Sequence, residues 1–198
     1  KALHGTSFKC IGDRIATATY LIATAMCGGK IEIGGIDPNF LLPLIVFLRN
    51  SGCNIDLFSD KITIENFSRL KSVQKIETEV YPGFPTDMQA IIAAVMCVSS
   101  GTSIIVENIF ENRYKYMQEL MRMGAKVTIE GKAAIIKGTK KLQGTKVKAT
   151  DLRGGAAMVI AGLVAQGVTE VEEIHYILRG YEKFEQKLST LGAKIYIK

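Results

Sequence analysis

No uninterrupted apolar run in this 198-residue chain approaches the roughly 18 residues that a membrane-spanning helix requires. The longest, "IIAAVMCV" and "MVIAGLVA", are about half that length, which argues against a helical membrane protein. No stretch has the pattern of a secretory signal. A C-x-x-C pair is also missing. Cys10, Cys27, Cys53 and Cys97 are far apart and irregularly spaced, which argues against a zinc site or a disulfide framework and for a reducing compartment, the cytoplasm. Cys27, Cys53 and Cys97 fall in apolar helical or strand surroundings, where a buried, inert thiol is the natural reading. Clustered charge is lacking too. The net charge of +6 suits an anionic partner, but the basic residues are dispersed. An RNA-binding module would suit that charge, yet no strand carries the aromatic and basic residues such a surface needs. What is present, 47% hydrophobic and 22% charged residues, describes a globular chain long enough for one domain with a real core.

That chain is built from a repeat. The segments "GDRIATATYLIATAMCGGKIEIGGI", "TDMQAIIAAVMCVSSGTSIIVENI" and "TDLRGGAAMVIAGLVAQGVTEVEEI" share an order of features. Each opens on an aspartate (Asp13, Asp87, Asp151) and continues through an apolar helix to a glycine (Gly29, Gly101, Gly167). A short strand, an amphipathic helix, a second glycine (Gly52, Gly124, Gly192) and another strand follow. The separation from aspartate to second glycine is nearly the same in all three, which is the mark of a repeat architecture. The repeats run approximately over 1–80, 81–148 and 149–198.

The first helix of each repeat carries small or apolar residues on every side, as in "GGAAMVIAGLVA", and so predicts a helix buried all round. The second is one-sided, with Phe184, Leu188 and Leu191 on one face of the last. The glycines stand where helices end. Strands such as "KVTIE" and "KIYIK" alternate, giving sheets with one wet face. Buried helices inside and half-wet sheets outside predict an inside-out α/β barrel, one domain over 1–198. Repeats one and two continue through two further strands after the second glycine, whereas repeat three stops one strand after Gly192. The chain opens inside "LHGTSFKCIGD", which reads as a strand feeding repeat one. Together these suggest a fragment whose third repeat awaits a hairpin from elsewhere.

The stretch "YPGFPTDMQA" needs its own explanation. Pro82, Gly83 and Pro85 forbid a regular helix or central strand, and they deliver Asp87 at the head of an apolar helix. Thr86 or Asp87 capping that helix is the plain reading. A carboxylate held rigid for chemistry is the other.

"FPTDMQ", "ENIFENRY", "ATDLRGGAAMVIAGLVA" and "RGYEKFEQKLSTLGAKI", in that order, resemble the C-terminal half of the UDP-N-acetylglucosamine enolpyruvyl transferase family. The resemblance covers essentially the whole chain. It implies a two-domain, cleft-forming enzyme of the first committed step of bacterial peptidoglycan synthesis and cell-wall biogenesis. That enzyme moves enolpyruvate from phosphoenolpyruvate to the sugar 3′-hydroxyl and uses no prosthetic group and no metal. The family's N-terminus returns to complete this domain. Its reactive cysteine, its active-site lysine and several arginines lie in the other half, so the resemblance makes this chain a half-site, inactive alone. A shikimate-pathway transferase shares fold and chemistry type, but "FPTDMQ" and "FENR" fit it less well. A structural domain that binds nothing by itself is a third reading.

On this resemblance Asp87 is the general acid/base at the attacking hydroxyl, a task that suits a carboxylate. Arg113, Arg153 and Arg179 surround anionic substrates, for which planar bidentate donors are apt, and Arg179 matches the phosphoenolpyruvate arginine. Asp151 orders the site, and Ile109 touches the nucleotide through its backbone. Taken singly, each arginine reads first as a solvated or interdomain salt-bridge residue, and Ile109 equally well as a strand-end core residue. Leu178, Ala16 and Ala18 depart from the family pattern and bear on which paralogue this is.

Overall fold

The computed structural model describes residues 2–198. In the first repeat, α1 (Arg14–Cys27) leads to β1 (Gly29–Gly34), α2 (Leu42–Asn50), β2 (Asn54–Leu57) and β3 (Lys61–Asn66). β4 (Lys75–Glu77) precedes the second, which runs α3 (Gln89–Val98), β5 (Thr102–Val106), α4 (Lys115–Arg122), β6 (Lys126–Glu130) and β7 (Ala133–Lys137). β8 (Lys146–Lys148) precedes the third: α5 (Leu152–Val164), β9 (Glu170–Glu172), α6 (His175–Leu178) and α7 (Phe184–Thr190).

The architecture is inside-out. α1, α3 and α5 pack on one another at the centre. α3 is buried at every position from Gln89 to Cys97, so it has no wet face at all. Each large apolar side chain sequestered there, such as Ile91, Ile92 and Met96, contributes about 1.5–3 kcal/mol relative to exposure. Three sheets lie outside, ordered β1-β3-β2, β4-β5-β7-β6 and β8-β9. β1–β3 and β5–β7 pair antiparallel, with Ile31 opposite Ile64 and Ile105 opposite Ala134. β4 and β8 pair parallel to β5 and β9. Each of these two sheets therefore takes its first strand from the chain ahead of the repeat's aspartate.

The second glycine of each repeat follows its helix in a left-handed conformation, with φ of 105° at Gly52, 91° at Gly124 and 99° at Gly192. A side chain is strained there, and glycine is the residue that ends a helix this way.

Four expectations need correction. Residues 194–198 form no strand. In the first two sheets the central place belongs to β3 or β7, and β9 has no such neighbour, so the final segment lacks the ladder that would make it a strand. Only Ala193 and Ile195 pack toward the core, while Tyr196 stays exposed. Residues 2–12 form no strand either. Leu3, Phe8 and Ile11 are exposed, and their irregular spacing offers no single apolar face to bury. Leu191 lies past the end of α7 and is exposed, so that helix is anchored by Phe184 and Leu188 alone. Cys27, the last residue of α1, is also exposed, whereas Cys53 and Cys97 are buried. Burial pushes the Cys97 thiol up to about 12 and that of Cys53 to about 11, which leaves both without a thiolate at neutral pH.

Candidate active site

The three aspartates that open the repeats do different work. Asp13 caps α1 by accepting from the backbone N–H groups of Ile15 and Ala16 at 2.8 and 3.0 Å. Asp151 caps α5 in the same way, accepting from Arg153 and Gly154 at 2.8 and 2.9 Å. Asp87 caps nothing, because a 3₁₀ turn, Thr86–Met88, comes before α3 and neither element has a side-chain cap. The plain reading of Asp87 is thereby overturned. Its carboxylate instead meets two guanidiniums. Arg113 Nη2 lies 3.3 Å from Oδ1, and Arg153 Nη2 lies 3.4 Å from Oδ2. Arg113 comes from the segment before α4, and Arg153 from the first turn of α5, so repeats two and three meet at this carboxylate.

The proline-rich approach explains how it is held. Gly83 N–H donates to the Val80 carbonyl at 2.8 Å, and Glu79 N–H to that of Phe84 at 2.9 Å. A Cβ at Gly83 would come within 2.4 Å of Glu79 Cβ, so only glycine lets the turn close. Phe84 and Met88 are buried on either side of Asp87, anchoring the turn while the carboxylate faces outward. Its side chain is 45% exposed, against 23% for Arg113 and 20% for Arg153. On the other flank, Arg14 stands 5.7 Å over the Tyr81 ring. It lines a cleft of about 390 Å³ with Phe40, Leu42, Val46, Tyr81 and Pro82.

Sequence reasoning singled out Ile109 as well, and it sits nearby in a fixed loop. Its N–H donates to Glu107 Oε1 at 2.9 Å, so a backbone contact with any ligand must use its carbonyl. The Phe110 ring lies 5.1 Å from the Arg113 guanidinium. Arg179 is not drawn into the Asp87 cluster. It ends α6 exposed, 5.7 Å over the Tyr176 ring, with no carboxylate in ion-pair range among the described residues. It nevertheless stands at the same end of the domain, because Gly180 packs on Leu152, the residue before Arg153. Tyr181, two residues further on, shares a buried 2.9 Å hydrogen bond with Thr19 of α1. Neither Thr19 nor Glu107 stood out in the sequence. An acidic residue directly after the apolar run "TSIIV" was the available signal for Glu107.

The glycines of "LRGGA" are steric requirements. A Cβ on Gly154 would meet Tyr116 Cβ at 2.9 Å, and one on Gly155 would meet Ile177 Cγ1 at 2.7 Å. Gly155→Val therefore overpacks the α5–α6 contact. It is expected to cost about 1–3 kcal/mol, more than the small gain in helix propensity. Calorimetry should find a melting temperature lower by roughly 2–4 °C per kcal/mol for a domain of this size.

The chemistry of the cluster is that of an anion site with one base: a lone carboxylate, two guanidiniums on it, and two further arginines at the same end. The family model for EPSP synthase (3-phosphoshikimate 1-carboxyvinyltransferase) matches residues 1–188. The chain belongs to this family of carboxyvinyltransferases. It is 48% identical over 193 residues to UDP-N-acetylglucosamine 1-carboxyvinyltransferase 3 of Caldanaerobacter subterraneus subsp. tengcongensis, covering 98% of this chain and 46% of that protein. It is 45% identical to a UDP-N-acetylglucosamine 1-carboxyvinyltransferase of Desulfofundulus thermocisternus, covering 96% of this chain and 77% of that one. Among solved structures, the enolpyruvyl transferase NikO from Streptomyces tendae superposes with a TM-score of 0.83 at 25% identity, over 94% of this chain and 44% of its own. EPSP synthase from Acinetobacter baumannii, at 17% identity and TM-score 0.72 over 96% of this chain and 44% of its own, shares the fold. The inside-out arrangement is thus the enolpyruvyl transferase fold. The chain spans about half the length of most of the curated carboxyvinyltransferases it matches.

Proposed function

We propose that this chain is the C-terminal half of a UDP-N-acetylglucosamine 1-carboxyvinyltransferase and forms one wall of its active-site cleft. The observation that carries this reading is Asp87. A carboxylate kept for stability would cap its helix, as Asp13 and Asp151 do. Asp87 forgoes the cap, faces outward, and is held by Arg113 and Arg153.

In the reaction a proton adds to C3 of phosphoenolpyruvate as the sugar 3′-hydroxyl oxygen bonds to C2 and its own proton passes to Asp87. Loss of a proton from C3 then restores the double bond as the C2–O bond to phosphate breaks, and the proton on Asp87 departs with the phosphate. The arginine contacts at 3.3 and 3.4 Å are longer than the 2.7–2.9 Å typical of charge-assisted bonds. They orient the carboxylate loosely and leave both guanidiniums able to turn toward anionic substrate. Arg179, free of any carboxylate among the described residues, takes an anionic group of phosphoenolpyruvate. The Ile109 carbonyl faces the nucleotide sugar. Asp151 acts through the cap that sets Arg153. The other half supplies the opposite wall and a hairpin beside β9. No prosthetic group is required, and the enzyme works in the cytoplasm on peptidoglycan precursors.

Phosphate release by the complete enzyme tests this. Phosphoenolpyruvate with UDP-N-acetylglucosamine should turn over, and phosphoenolpyruvate with 3-phosphoshikimate should not. The reverse preference would move the chain to the shikimate branch.

A further inference from the structure

We propose that Glu107 is a positioning residue, whose buried carboxylate fixes the Asp87 turn and the 108–110 loop against each other. This rests on the function proposed above for that site.

Glu107 follows β5 directly and is 2% exposed. No cation lies in ion-pair range of it among the described residues, yet four donors converge on it. Oε1 accepts from Thr78 Oγ1 at 2.9 Å, from Ile109 N–H at 2.9 Å and from Phe110 N–H at 3.1 Å. Oε2 accepts from Thr86 Oγ1 at 2.9 Å. Thr78 is itself fully buried and accepts from Asn108 N–H at 2.9 Å. One carboxylate thus ties together the chain after β4, the turn carrying Asp87, and the loop that runs on to Arg113. Thr86 is the neighbour of Asp87, and Phe110 lies beside the Arg113 guanidinium. Both partners of the Asp87–Arg113 pair are referred to the same two oxygen atoms.

The fold does not require this. Counting from Gly101, Gly29 and Gly167, the counterparts of Glu107 are Gly35 in repeat one and Glu173 in repeat three. Gly35 has no side chain, and Glu173 is half-exposed beside His175. Two repeats build the corresponding central helix and the strand after it without a buried acid. It occurs only in the repeat whose aspartate leaves its cap. Burying a carboxylate is costly unless every lone-pair direction is satisfied, and an apolar residue would stabilise a strand end more cheaply. What the carboxylate adds is fixed geometry, to which a reacting group is sensitive at about the ångström level.

The experiment uses the complete enzyme with UDP-N-acetylglucosamine and phosphoenolpyruvate. Glu107→Ala removes all four acceptor contacts and is expected to lower kcat about 100-fold, with a raised KM for the nucleotide sugar. Glu107→Gln keeps an oxygen for the Ile109 and Phe110 N–H groups, and its NH₂ can donate to a rotated Thr86 hydroxyl. It should retain kcat within about 10-fold, because hydroxyl rotors adapt to either role. Amide exchange at Ile109 and Phe110 should quicken in the alanine variant and stay slow in the glutamine variant. If the alanine variant does not fold, Thr78→Val decides. Thr78 is too deeply buried to touch substrate, and its loss should still lower kcat.

Wild-type kcat in Glu107→Ala or Thr78→Val, with faster exchange at the loop, would overturn the proposal. So would equal losses in the alanine and glutamine variants without any change in exchange. Should the enzyme accept 3-phosphoshikimate instead, the nucleotide-sugar reading falls. The contrast between variants then judges Glu107 with that substrate.

Discussion

Asp87→Ala in the complete enzyme is expected to lower kcat about 10²–10⁴-fold, the usual contribution of a general acid/base, while leaving the melting temperature almost unchanged. The second half of that expectation comes from the geometry. Asp87 caps no helix, so its removal orphans no backbone N–H. Its two ion pairs are partly exposed and longer than 3 Å, a class worth about 0–1 kcal/mol. Asp13→Ala and Asp151→Ala provide the comparison. Each loses a cap with two backbone bonds and should cost about 0.5–2 kcal/mol. Asp13→Ala should leave kcat near normal, since Asp13 contacts neither Arg113 nor Arg153, the two arginines on Asp87. Three equivalent positions then give opposite patterns, one kinetic and one thermodynamic. Near-normal turnover in Asp87→Ala, with a lowered melting temperature, would return Asp87 to a structural role.

The parts of this protein that sequence made legible are those governed by local pattern. An apolar helix without a polar stripe has nowhere to go but the centre, and α3, buried from Gln89 to Cys97, follows that rule. Glycine after an amphipathic helix is equally local, and Gly52, Gly124 and Gly192 all take positive φ. What sequence did not reveal depends on partners distant in the chain. Residues 194–198 alternate like a strand, but a strand exists only where a ladder partner does. Asp13, Asp87 and Asp151 look alike in sequence. Asp87 differs because Arg113 and Arg153 reach it from other elements. Glu107 differs from Glu173 in what surrounds it and in its backbone, since Glu173 takes a left-handed φ of 58° and burial of a carboxylate is set by tertiary packing. Of the residues singled out for the site, Asp87, Arg113 and Arg153 come into contact, Asp151 accepts from the Arg153 backbone N–H, the Ile109 N–H donates to Glu107, and Arg179 stands apart, exposed, at the same end.

The 198-residue chain expressed alone is expected to fold and yet release no phosphate above the uncatalysed rate. Folding follows from the completeness of its interior, because all three central helices are present and pack on one another. Catalysis fails for want of an opposing surface. Asp87 is 45% exposed and Arg179 is exposed, so water reaches the groups proposed to hold the reactants. In water the arginine contacts lose the strength that an enclosed site would give them. The open edge at β9 and the unpaired segment 194–198 form a second liability, since an unpaired strand edge invites self-association. Lys194 and Lys198 lie there, and Lys198 Nζ reaches to 3.7 Å from Glu170 Oε1, charge that opposes stacking of copies. Far-UV circular dichroism and a cooperative melt should therefore report a folded domain, while the phosphate assay reports none of the turnover of the complete enzyme. Adding the remaining half as a separate polypeptide should restore activity, because the cleft needs two walls rather than one continuous chain. Turnover by the 198 residues alone, with both substrates at saturating concentration, would sink the half-site reading outright.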